Sequence, residues 1–282
     1  MMAWILITIF VILTITVGGD RTAKSSVTIG INGMILILTV FAVYWGLPSL
    51  PVTIIAALLV IYCTVFFQND RSVKTEAAFI SVVLILVLML LFIFIFVYKG
   101  NLAGFPVLGE HKIRPSNGYE ADIGMNMNML QVCVILIALT GSVIDTAVAV
   151  TSGVFEVKRN NPYLEKDQLF LSGMRIGREI ISSTVNTLFF IFAGEYLVMF
   201  VNFSMFYSFQ TMINSKDFAQ GSISVLISAI GCVLIIPVAA LLSGIMFEKL
   251  NISSVEEEKA ALNENETEEK KPVKVKRKLF GK

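Results

Sequence analysis

The most informative side chains are a few charged and polar groups set inside apolar sequence. Asp145 lies within QVCVILIALTGSVIDTAVAVTSGVFE, residues 131–156, with apolar stretches on both sides. A carboxylate at the bilayer centre costs roughly 2.5–3.5 kcal/mol on insertion scales, so it should face protein or water. Ala138, Gly141 and Ser142 precede it at helical spacing, and Ala149 and Ser152 follow. Such a small-residue face lets another helix backbone come close.

A second group follows in LFLSGMRIGREIISSTVNTLFFIFAGEYL, residues 169–197. Arg175, Arg178, Glu179, Ser182 and Asn186 recur at intervals of three and four, forming one polar stripe on a helix. Packed as an antiparallel pair, the two helices would bring Asp145 and Arg178 to comparable depth, where each would neutralise the other. Two readings stay open: a brace between the helices, or a proton or cation site at Asp145 tuned by Arg178. Asn186 suits an interhelical hydrogen bond. Arg175 reads as a cation snorkelling to the surface, and Glu195 as reaching interfacial water. Gly173 and Gly177 sit four apart at the start of this helix, and Gly231 in 220–247 continues the pattern of close packing. Pro237 removes one backbone hydrogen bond from the 220–247 segment and permits a kink.

Other chemistry has little to stand on. The chain has 1 histidine, and its three cysteines, Cys63, Cys133 and Cys232, each lie in an apolar run and read as small hydrophobes. No phosphate-binding G-x-x-x-x-G-K-S/T loop, H-E-x-x-H or C-x-x-C occurs in the sequence. No cofactor or metal is expected, no nucleophile–base pair is visible, and the chain is not expected to be an enzyme.

The elements that must position these groups follow from composition. Of 282 residues 56% are hydrophobic and 15% charged, with a net charge of +1 and a mean hydropathy of +0.79. A soluble domain carries about 45–50% apolar and about 25% charged residues, so the lipid bilayer is the expected solvent. Nucleic acid is not an expected partner. The expected fold is all-α, a polytopic transmembrane bundle of about seven spans near 3–18, 27–46, 49–67, 78–98, 128–153, 181–201 and 220–247. The first span is short; with no basic segment before it and Arg21 and Lys24 after it, it reads as a retained anchor rather than a signal peptide. Span four, almost without polar atoms, is expected to face lipid. Lysine and arginine cluster after spans one, three and five and in the tail, which predicts an N-out, C-in arrangement. Three parts are expected: an N-terminal anchor helix and loop (1–25), a six-helix bundle (26–250), and a disordered charged cytoplasmic tail (251–282).

Three segments carry a family resemblance: TGSVIDTAVAVTSGVFEV (140–157), LFLSGMRIGREIISSTVNTLFFIFAG (169–194) and SAIGCVLIIPVAALLSG (228–244). They resemble the YibE/F family of bacterial membrane proteins. Gly141, Asp145 and Ala147 match its first motif. Ser172, Gly173, Gly177, Arg178, Glu179, Thr184, Asn186, Thr187 and Leu188 match the second, and Gly231, Leu234 and Pro237 the third. The chain departs at Ser142 and at Ser182-Ser183, where the family has Ala and Gly-Thr. The short N-terminus looks like the shorter, YibF-type partner of a two-protein pair. The resemblance implies a multi-pass protein of the bacterial plasma membrane, with a related YibE-like subunit or further copies of itself as partner. Gly141, Asp145 and Thr146, a cytoplasmic loop and an arginine-bearing helix are also similar to the membrane half of SecF and resistance-nodulation-division proteins. The expected function is a transport or permease component with a polar cluster of Asp145, Arg178 and Asn186; the alternative is a non-transporting scaffold or assembly subunit.

Overall fold

The computed structural model describes residues 2–100, 102, 126–206 and 208–248. Seven helices follow in chain order: α1 (Met2–Tyr44), α2 (Ser49–Tyr62) ending in a π-helical turn (Cys63–Phe67), α3 (Val73–Lys99), α4 (Met127–Asn160), α5 (Lys166–Phe206), the single turn α6 (Phe209–Ile213) and α7 (Lys216–Glu248). The expected tail, 251–282, and most of the loop expected over 99–127 lie outside the described residues.

Among the described residues six segments are long and apolar enough to cross a membrane: Thr22–Tyr44, Ser49–Phe67, Val73–Lys99, Met127–Asn160, Lys166–Leu197 and Phe218–Glu248. The first span expected from sequence is a shorter apolar helix, Ile5–Gly18. It joins Thr22–Tyr44 without a loop, yet the two limbs are not collinear. The hydroxyls of Thr14 and Ser26 meet at 3.2 Å, whereas twelve residues of straight helix cover roughly 18 Å. The chain therefore doubles back between Gly18 and Thr22, so the expected loop near Arg21 and Lys24 is a helical reversal.

Successive spans alternate in direction, and side-chain contacts fix the two ends. At one end Lys24 pairs with Asp70 at 2.8 Å, the Lys74 ammonium lies 5.4 Å from the Phe155 ring, and Phe155 meets Phe247 edge-on at 5.5 Å. The α2–α3 and α4–α5 turns and the end of α7 share that end with the α1 reversal. The cation-bearing loops expected on one membrane face after spans one, three and five thus gather at one end of the bundle. At the other end Gly46 takes φ +88 in the α1–α2 turn, a left-handed backbone that suits glycine, and Asn126 caps α4 by accepting from the Asn128 and Met129 amides.

The core forms where α4 meets α3, α5 and α7; among the described residues α1 packs on α2 and its π turn, with Lys24 reaching Asp70 just beyond them. Parallel α4 and α7 pack so tightly that a Cβ on Gly231 would overlap the Leu139 side chain. Helix α3 departs from its expected lipid exposure. Ala78, Val82, Ile85, Met89 and Ile93 are buried along one face, with Leu84, Val87 and Leu91 exposed on the other. A span almost without polar atoms still has two faces, and hydropathy alone does not say which one packs. Helix α7 continues through Pro237 to Glu248.

Candidate functional site

The two helices singled out by sequence do pack side by side, but in a register that separates the expected pair. Gly153 of α4 faces Ile176 of α5: a Cβ at Gly153 would lie 2.9 Å from the Ile176 Cδ1. From that contact Asp145 lies about 12 Å along α4 and Arg178 only about 3 Å along α5, leaving about 9 Å of axis between them. No ion pair or hydrogen bond joins the two residues among those described. The faces diverge as well. Gly173 and Gly177 turn inward, against Ala240 and Ile236 of α7, with no room for a Cβ. The stripe of Arg175, Arg178, Glu179, Ser182 and Asn186 is exposed on the side away from those glycines. A helix cannot press both faces on the same neighbours, and the glycines win because close backbone approach gains the most contact. The expected cluster of Asp145, Arg178, Glu179, Ser182 and Asn186 is therefore not assembled within the chain.

Asp145 instead lies near Cys232 of α7. It lies halfway along α4 and reaches the surface of the bundle on the face that carries Val134, Ala138, Gly141 and Ala149. Gly141 has open space where a Cβ would be, so the expected packing at that glycine is absent within the chain. Buried Cys232 lies against the hydroxyls of Ser142 and Thr146 and within electrostatic reach of Asp145. Ser142 and Thr146 donate to the carbonyls of Leu139 and Ser142, at 3.1 and 2.9 Å.

From Cys232 a polar row climbs α7 at one residue per turn: Ser228, Ser224, Gln220. The last three line a groove of about 360 Å³ between α4, α5 and α7. Its walls also carry Gln131, Glu195 and Tyr196. Glu195, expected to reach interfacial water, is exposed and lines this groove between the helices. Ser228 is buried and donates to the Ser224 carbonyl at 2.9 Å. Gln220 donates to the Leu102 carbonyl at 2.6 Å. Val134 and Ala138, on the Asp145 face of α4, form the opposite wall.

Sequence reading missed Gln220, Ser224, Ser228 and Cys232 because each is a mild residue in an apolar helix. The signal was their spacing of four, which places them on one line. The cysteines are free thiols, and among the described residues no group of three or more His, Cys, Asp or Glu could hold a metal.

Residues 6–249 match the family model described as YibE/F-like protein. No curated protein and no solved structure matches the chain.

Proposed function

The chain belongs to the YibE/F-like family and is a multi-pass helical membrane protein, and on that premise we propose that it is a proton-coupled transport component with Asp145 as the coupling carboxylate. One observation carries this reading: a carboxylate half-way along a membrane-length helix, with no ion-pair partner among the described residues, stands at the foot of a polar row that opens at Gln220 and Glu195. Hydroxyl, thiol and amide groups one turn apart both donate and accept hydrogen bonds, so with intervening water they form a relay from the groove mouth to mid-membrane. In this reading Glu195 draws protons to the mouth, Ser224 and Ser228 pass them inward, and Asp145 exchanges them. The likeness to SecF-type membrane halves points the same way by analogy.

The test is proton flux into proteoliposomes holding purified protein, followed by an enclosed pH dye and normalised to folded protein. Asp145→Asn should abolish flux, and Ser228→Ala should lower it about tenfold, while Arg178→Gln, remote from the row, leaves it within about twofold. Undiminished flux per folded molecule in Asp145→Asn would sink the reading.

A scaffold or assembly subunit is the second reading, and the outward stripe on α5 favours it. That reading expects Asp145→Asn to change the amount of protein only.

A further inference from the structure

The α5 stripe is a polar face that the chain leaves uncovered. Arg178, Glu179, Ser182 and Asn186 are exposed along a helix of membrane-spanning length. The fold itself turns them outward, because the inward face of α5 is filled by Gly173 and Gly177 against α7. Hydrocarbon is a poor neighbour for a guanidinium, a carboxylate and an amide, so another polar surface should cover them. Next to this stripe, α4 also leaves Asp145 and Gly141 uncovered, the glycine with open space beside it.

We propose that this α4–α5 face binds a second copy of the chain, about a two-fold axis along the membrane normal. Such an axis keeps every residue at its own depth, so a self-binding face must carry its complement at each level. This one does. Arg178 and Glu179 are adjacent on α5, where neighbours in sequence do not face each other along one helix. Across the two-fold axis each lies level with its opposite in the other copy. Deeper in, the Gly153–Ile176 contact sets Asp145 level with the stretch from Ser182 to Asn186. The Asn186 amide and the Ser182 hydroxyl of one copy are donors at the depth where the other copy's Asp145 needs them. Gly141, one turn from Asp145, lets the second backbone approach. The dimer stands on these outward faces and not on proton coupling, so either reading can fail alone.

Cross-linking in native membranes tests it, using the full chain with Cys63, Cys133 and Cys232 replaced by alanine. Ser182→Cys or Asn186→Cys should oxidise to a species of twice the chain mass, at least tenfold more than Val87→Cys on the exposed face of α3. In detergent, Arg178→Glu and Glu179→Arg should each weaken the dimer about tenfold, and the double exchange should restore it, because the pairs re-form between copies. Stripe cysteines that cross-link no better than Val87→Cys overturn the proposal. So does a stripe adduct of any other mass, which would identify a different subunit as the occupant.

Discussion

The Lys158 ammonium is buried at the α4–α5 turn and donates to the carbonyls of Pro162 and Leu164, at 2.7 and 3.0 Å. It closes a turn whose own peptide groups would otherwise be orphaned, as a hydrogen-bonded charge on a short loop does best. Lys158→Met keeps the aliphatic stem and leaves both carbonyls without their donor. The expected loss is about 2–4 kcal/mol of stability, read as a lower thermal midpoint in detergent. The same scale decides how Asp145 and Arg178 behave together. Separated by about 9 Å of helix axis, they should be independent in folded yield. Asp145→Asn, Arg178→Gln and the double change should combine additively within about 0.5 kcal/mol. A strongly rescued double mutant would show that the two side chains meet. Sequence made each residue conspicuous, because charge inside apolar sequence is rare. It could not give the register, which Gly153 and Ile176 set through contact, and so it joined two residues that belong to different surfaces.

Among the helices, glycines of one type do opposite things. Gly177 and Gly231 are where α5 and α4 press on α7, with Ile236 and Leu139 occupying the space of a Cβ. Gly177→Ala should overpack that contact and cost about 1–3 kcal/mol. Gly141→Ala meets open space within the chain, and monomer stability should rise by up to about 1 kcal/mol from helix propensity alone. Parallel thermal unfolding of the two variants checks the contrast; equal losses would mean that Gly141 is packed too. At this scale the sequence was most readable in its long apolar stretches: α2 and α7 keep close to the expected limits, while α3 starts five residues before its span, α4 runs seven residues past its span and α5 starts fifteen residues before it. It was least readable in α3, whose Ala78, Val82, Ile85, Met89 and Ile93 face looks no different in composition from the Leu84, Val87 and Leu91 face. The α1 reversal was half legible. The polar interval of Gly18 to Lys24 marked a break in the apolar run, but not that helix would continue through it.

For the molecule in its bilayer, the alternation of spans makes a single statement about sidedness. Asp70 and Tyr163 lie at one end and Trp45 and Ser208 at the other, so cysteines placed at the first two should share one labelling pattern and those at the second two the opposite one. An impermeant maleimide applied to intact cells should label Trp45→Cys and Ser208→Cys and spare Asp70→Cys and Tyr163→Cys, following the bias of lysine and arginine. Labelling of all four would break the alternation. The close packing of α7 against both α4 and α5 also has a consequence in time. Biosynthesis delivers α4 and α5 to the membrane well before α7 leaves the ribosome. Until then Gly173 and Gly177 have nothing to press on, Leu139 and Val143 lack their cover, and Asp145 has no neighbouring Cys232. A nascent chain halted before Lys216 would display an unfinished surface for quality-control proteases to grip, and it is the arrival of α7 that takes the protein out of their reach.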